Sequence, residues 1–156
     1  MQASKALRAI TQEEKILTLV SNLLFKAMKL SHLSIYMKKK DRIILQEWRG
    51  GESFKEIPIE SALIDMLMQQ GTFIVDELEY KIPKNVVFIE TTLKELKKRS
   101  VSVVIPVAYN LDLMGLILVG EKNNRVVFSN RDVFVFNILA DYMAYALQNA
   151  RSLPNI

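Results

Sequence analysis

The chain has 156 residues, half of them apolar and 24% charged, with a formal net charge of +4 and no cysteine. This length predicts one domain, and the apolar content excludes a disordered or collagen-like chain. The lack of cysteine excludes a disulfide scaffold, a zinc–thiolate site and a thiol nucleophile, and it fits a reducing compartment.

The N-terminal segment lacks the apolar core and small-residue cleavage site of a signal peptide. No stretch reaches the ~18–20 apolar residues that span a bilayer. The longest candidate, residues 133–147, is interrupted by Asn137 and Asp141. We therefore expect a cytoplasmic protein with no membrane insertion.

The first predicted element is a helix over residues 4–30, which Thr11 and Glu14 support with the spacing of a capping box. Its apolar residues form one stripe and a second row beside it, a wider arc than one sheet contact needs. We therefore expect part of this helix to meet a second copy of the chain. The expected contacts are Leu17, Val20, Leu24 and Met28.

Two strands follow, at residues 33–37 and 43–48, and the polar turn between them predicts an antiparallel hairpin. The turn carries Lys38, Lys39 and Lys40. Acidic residues surround this basic run and no aromatic residues interleave with it, so nucleic acid is not the expected partner. A surface at this turn that binds an anion or a nucleic acid is kept as an alternative.

The middle of the chain has weaker signals. A short helix is predicted over Ser61–Gln70, with Gly71 as its C-terminal stop. Residues 72–75 are β-rich, residues 76–83 are expected to be irregular, and residues 90–98 are predicted to form another helix.

Residues 101–107 and 113–119 are nearly continuous apolar runs of strand length, which predicts strands covered on both faces. Residues 110–112 supply the turn between them. Pro106 requires a sheet edge or a bulge, and Gly115 indicates a bulge or a close backbone approach.

The last predicted element is a helix over residues 130–150, with Ser129 as its N-cap and Asp132 at the acidic position of a capping box. It is apolar around most of its circumference and must therefore bury against more than one neighbour. One face is expected to join the first helix in a homodimer interface. It carries Phe134, Ile138, Tyr142 and Tyr145.

These elements predict an α/β (α+β) fold. Its centre is a mainly antiparallel sheet of about five to six strands with helices on both faces. The N- and C-terminal helices pack together on one face. We expect a single domain over residues 1–156, with its core at about 11–150 and short flanking segments at 1–10 and 151–156.

Residues 100–153 resemble the C-terminal half of a GAF domain. The family has a strand with an apolar-Pro-apolar step, a strand with a glycine, a Phe-Ser-x-x-Asp helix start and a final helix. Here these parts read VVIPV at 103–107, MGLILVG at 114–120, FSNRD at 128–132 and LADYMAYALQNARSL at 139–153. The first half matches more loosely. The turn before Leu113 departs from the family, which commonly has a glycine there.

The resemblance implies a regulatory sensor module and not an enzyme. Such domains commonly lie upstream of histidine kinases, nucleotide cyclases, phosphodiesterases or transcription activators, and they often dimerise through their terminal helices. The broad apolar arcs of both terminal helices agree with that. The alternative is a purely structural dimerisation module that has no ligand.

No cofactor is expected. Members of the family that attach bilins and those that reduce methionine sulfoxide need cysteines, which this chain lacks. Members that bind cyclic nucleotides carry an Asn-Lys-x-Asp-type signature, and residues 121–124 read Glu-Lys-Asn-Asn, in the wrong order. Haem needs an axial ligand, and the only histidine, His32, is expected at the surface or at a helix end. The carboxylates at 76–79 match no calcium loop, so no metal is expected.

A small-ligand pocket is expected between the sheet and residues 61–99, the segment that covers one sheet face in the family. Phe73, Tyr80 and Phe88 are the candidate ligand-binding residues, and Tyr80 would supply a polar handle. The alternative is that these aromatic side chains fill the core and leave no room.

Overall fold

The fold is built on a six-stranded antiparallel sheet. The structure is a computed structural model that describes residues 2–51, 55–57, 61–81 and 87–152. The helices are α1 (Gln2–Ala27), α2 (Ser61–Gln70), α3 (Val75–Lys81), α4 (Val87–Lys98) and α5 (Asn130–Arg151). The strands are β1 (Leu33–Lys39), β2 (Arg42–Arg49), β3 (Glu56–Ile57), β4 (Phe73–Ile74), β5 (Val101–Tyr109) and β6 (Asp112–Gly120).

The strand order is β3-β2-β1-β6-β5-β4, and every neighbouring pair is antiparallel. The two predicted hairpins form β1–β2 and β5–β6, and β1 pairs with β6 at the centre of the sheet. The expected antiparallel sheet of five to six strands is confirmed.

Both faces of the sheet are covered. Ile117 and Val119 of β6 join a core with residues of α1 and α5. The alternating Leu116 and Leu118 join a second core with residues of α2, α3 and α4. Because successive strand residues point to opposite faces, a strand buried on both sides must be apolar throughout. The prediction that the terminal helices share one face is confirmed.

Gly115 and Pro106 occupy the special positions that the sequence predicted for them. A Cβ atom on Gly115 would overlap the carbonyl oxygen of Tyr36 in the neighbouring strand, so a side chain would push β1 and β6 apart. β4 pairs only with Val103 and Val104, so Pro106 lies where the outer side of β5 is a sheet edge among the described residues. At an edge, the missing N–H of proline costs no ladder hydrogen bond.

The turn from β5 to β6 is tight and strained. Asn110 and Leu111 both have positive φ, 47° and 68°, and Leu111 is 89% exposed. Two-residue turns of this kind favour Asn-Gly, because a side chain at positive φ approaches the backbone too closely. Leucine therefore stands at a position that favours glycine.

Two local predictions were wrong. Residues 76–81, expected to be irregular, belong to α3, because Val75 and Leu78 bury one apolar side of this short helix. Thr11 is not a helix cap, since α1 begins at Gln2. The Thr11 hydroxyl instead donates to the carbonyl of Leu7, at 2.8 Å.

The start of α5 is the predicted capping box. The Ser129 hydroxyl accepts a hydrogen bond from the Asp132 N–H, and the Asp132 carboxylate accepts one from the Ser129 N–H. Lys122 also donates to Asp132, at 2.8 Å. Burial raises the pKa of Asp132, but the hydrogen bonds from Lys122 and Ser129 outweigh burial and hold the pKa below its ordinary value.

Candidate functional site

A row of large apolar side chains lies on the solvent side of α5. Spacings of four, four and three residues place them on one side of the helix, opposite the buried Phe136, Ala140 and Met143. Their exposed fractions are 52 to 66%. This α5 outer face consists of Phe134, Ile138, Tyr142 and Tyr145.

Helix α1 packs against the sheet through residues for which the sequence predicts a dimer interface. Leu17, Val20 and Leu24 are at most 4% exposed and belong to the core between α1, α5 and the sheet. Met28 is half-buried against the same core. This placement corrects the assignment of Leu17, Val20 and Leu24 to a surface, since helical periodicity does not tell which of two apolar rows faces the sheet.

The outer side of α1 is also apolar at two positions that are not among the expected dimer contacts. Leu19 and Leu23 are 56% and 50% exposed. They are four residues apart and therefore lie on one side of the helix, turned away from Leu17 and Leu24. The four-residue spacing of Leu19 and Leu23 was the signal in the sequence that could have identified this exposed pair.

Of the candidate ligand residues, Phe73 and Tyr80 lie in different surroundings. Phe73 is buried in the core with residues of α2, α3 and α4. Tyr80 is 90% exposed on α3. The side chain of Phe88 lies outside the described residues. A cleft of about 160 Å³ adjoins Phe73, and its polar lining includes Glu77 and Asn130.

Glu13 ties together three elements at the end of the molecule where the two hairpins turn. It accepts hydrogen bonds from Arg151 at the end of α5, at 2.9 and 3.2 Å, and from Lys39 of β1, at 3.2 Å. Burial raises the pKa of Glu13, but the hydrogen bond from Arg151 and the charge of Lys39 together hold it below its ordinary value.

A cleft of about 420 Å³ lies beside these contacts. Its lining residues are Lys38, Lys40, Tyr109, Asn110, Asp112, Leu113, Met114, Gln148 and Arg151. We call it the hairpin-end cleft. It brings three cations together with one carboxylate, so its lining is positively charged.

His32 has a structural environment. Its Nε2 lies 3.0 Å from the carbonyl oxygen of Ser100, and its ring packs so closely on Gly120 that a Cβ there would overlap it. Among the described residues, no group of three His, Asp or Glu side chains converges as a metal site would require.

Comparisons with known proteins find similarity in structure only. No protein-family model and no curated protein matches the chain. No helix among the described residues is long and apolar enough to cross a bilayer.

Solved structures match over nearly the whole chain. The blue-light absorbing form of the PixJ GAF-domain from Thermosynechococcus elongatus aligns with a TM-score of 0.70 and 12% identity, over 94% of this chain and 91% of that chain. Residues 122 to 287 of a methyl-accepting chemotaxis protein align with a TM-score of 0.68 and 17% identity, over 92% and 93%. A type II free methionine-R-sulfoxide reductase from Thermoplasma acidophilum aligns with a TM-score of 0.59 and 17% identity, over 90% and 94%.

Proposed function

We propose that this chain, which has the fold of a GAF domain, is a regulatory sensor domain that dimerises through its terminal helices and controls a linked output domain. The similarity to a chemotaxis protein and to a photoreceptor domain supports a role in signalling. The output domain is of the kind these sensors control, such as a histidine kinase, a nucleotide cyclase or a transcription activator.

The observation that carries the proposal is the α5 outer face. Four large apolar side chains are half or more exposed on a helix whose other side already fills the core. Contiguous apolar surface of this kind marks interaction sites, and tyrosine and phenylalanine are enriched in the centres of interfaces. A second copy that places its own α5 outer face there would bury all four, with Leu19 and Leu23 of α1 at the side.

The sensor role requires a ligand site, which we place between the sheet and residues 61–99. The cleft beside Phe73 borders this segment at the β4 edge of the sheet, where Asn130 and Val133 of α5 complete its lining. Its volume, about 160 Å³, is below the ~300 Å³ of ordinary small-molecule pockets, so the proposed ligand is small. Phe73 lines this cleft and is the proposed ligand contact there, whereas Tyr80 and Phe88 stay predictions from the sequence. A structural dimerisation module without a ligand is the alternative, and the burial of Phe73 in the core favours it.

The proposed role does not include catalysis. One similar structure is a methionine sulfoxide reductase. The members of the family with that activity use redox cysteines, and this chain has none. A covalently attached bilin is excluded from the proposal for the same reason. Haem and cyclic nucleotides are not proposed as ligands either.

Native mass spectrometry of the purified chain tests both parts of the proposal. We expect a dimer for the wild type and a monomer for Ile138→Glu, because a carboxylate at the centre of an apolar interface would be buried without a partner. Asn137→Glu is the control, since Asn137 is exposed one residue away, about 100° around the helix. A wild type that stays monomeric at high concentration would contradict dimerisation. A dimer with no retained small-molecule mass would support the structural module.

A further inference from the structure

The hairpin-end cleft lies apart from the α5 outer face and from the proposed ligand site, and its lining resembles an anion site. Lys38 and Lys40 project from the first hairpin, and Arg151 from the end of α5. Among the described residues, neither lysine has an ion-pair partner. Asp112 is the single carboxylate in the lining.

The polar groups around these cations suit an oxygen-rich ligand. The amides of Asn110 and Gln148 and the phenol of Tyr109 add hydrogen-bond donors to the cleft. Leu113 and Met114 form its apolar part. The volume, about 420 Å³, is within the usual range for a small molecule.

Glu13 shows that one cation of the cleft, Arg151, pairs with a carboxylate, as does Lys39, which lies beside the cleft and not in its lining. Arg151 donates to one Glu13 oxygen through two nitrogens, and Lys39 donates to the other oxygen. Arginine pairs with carboxylate and phosphate by the same planar donor geometry. Arg151 lines the cleft while its Nε and Nη2 donate to Glu13, so a ligand that pairs with the same two nitrogens would compete with Glu13.

We propose that the hairpin-end cleft binds a small carboxylate or phosphate anion, which takes Arg151 from Glu13 and thereby loosens the end of α5 from α1. Anion binding in this cleft does not depend on the proposed function. That the loosened α5 would alter a linked output domain rests on the proposed function. In the structure, Glu13 joins α1, α5 and β1. In the bound state, the anion bridges Lys38, Lys40 and Arg151, and Glu13 keeps only Lys39.

The test is a titration of the whole chain with inorganic phosphate, and separately with succinate, at constant ionic strength. We expect saturable binding with a Kd on the order of 1 mM or tighter for at least one of them. The anion that saturates identifies the chemical source, phosphate or carboxylate. If neither saturates, the proposal is wrong.

Paired variants separate a built site from general positive charge. The double variant Lys38→Ala with Lys40→Ala is expected to weaken binding on the order of tenfold, since charge-assisted hydrogen bonds are lost. Lys94→Ala with Lys98→Ala removes the same charge from exposed positions of α4 and should leave binding unchanged. Equal losses in both double variants would overturn the proposal.

The competition with Glu13 has its own test. Glu13→Gln should tighten anion binding several-fold more than Glu14→Gln, which removes a neighbouring charge that holds no Arg151 contact. In the wild type, the NMR signal of the Arg151 Nε–H should shift as phosphate saturates. An unmoved signal during binding would overturn the exchange, even if Glu13→Gln does not fold.

These results are separable from those on the proposed function. The Ile138→Glu variant should bind phosphate as the wild type does, because Ile138 does not line the cleft. A chain that binds phosphate and never dimerises would contradict the proposed dimer alone. A dimer that binds neither anion would contradict the cleft alone.

Discussion

Leu111 shows how much depends on one residue in this fold. It stands at a φ of 68° in the turn that connects β5 and β6. A leucine in the left-handed region costs roughly 1–2 kcal/mol relative to the favoured regions. Its side chain is almost fully exposed and recovers little of that cost through packing.

Leu111→Gly should therefore stabilise the protein. Relief of the strain exceeds the extra entropy that glycine gives the unfolded chain, so we expect a gain of about 0.5–1 kcal/mol in the free energy of unfolding. Urea denaturation measures it. Leu111→Ala is the control, because it removes the exposed side chain and keeps the Cβ. An equal gain from Ala would assign the effect to the apolar surface and not to the backbone.

At the scale of an element, the stability of helix α5 depends on a few residues at its N-terminus. Its start is held by Ser129, Asp132 and Lys122, which close a network around the first free N–H groups. A carboxylate is favourable there because the N-terminus of a helix carries partial positive charge. The lowered pKa of Asp132 means that its ionised form is stabilised by folding.

Asp132→Asn should destabilise the protein by about 1 kcal/mol near neutral pH. The contribution of Asp132 is present above the aspartate pKa of the unfolded chain, about 4. It is lost as pH falls through the lower pKa of the folded state. The difference between wild type and variant should therefore shrink below about pH 4, as measured by denaturation at several pH values.

Asp141→Asn is the matched control for charge on the same helix, since Asp141 is exposed and outside the cap. We expect it to change stability by less than about 0.5 kcal/mol. A loss as large as that of Asp132→Asn would mean that the charge of α5 matters and its cap does not.

The elements differ in how well their sequence predicts them. The apolar run of β5 is long enough to decide its structure locally, and Ser129 with Asp132 marks the start of α5 without help from the rest of the fold. Helix α3 has only seven residues. Its stability depends on Val75 and Leu78 meeting the sheet, and no local signal reports that contact.

The candidate site likewise has parts that local sequence predicts and parts that depend on tertiary contacts. The α5 outer face was predicted because its spacing is regular over three turns. The roles of Leu17 and Leu24 depend on how α1 is rotated against the sheet, which is a tertiary property. The hairpin-end cleft was visible only as a basic turn, since Arg151 lies far from Lys38 and Lys40 in the sequence.

At the scale of the whole molecule, dimerisation should appear in unfolding. If folding and association are linked, the midpoint of thermal unfolding rises with protein concentration. We expect about 2 °C for each tenfold increase in concentration of the wild type. Ile138→Glu should show no such dependence. Scanning calorimetry at several concentrations measures this, and a constant midpoint for the wild type would contradict a dimer linked to folding.

The edges of the sheet limit the ways in which copies of this protein can associate. The edge strands β3 and β4 are each two residues long. Past β4, the outer side of β5 carries Pro106, which has no backbone N–H to donate to an added strand. Short strands and proline at an edge leave little backbone for an added strand to pair with. Among the described residues, the sheet is therefore poorly suited to β-augmentation and to fibrillar stacking. Concentrated protein should associate through helical side chains, with its strand content unchanged.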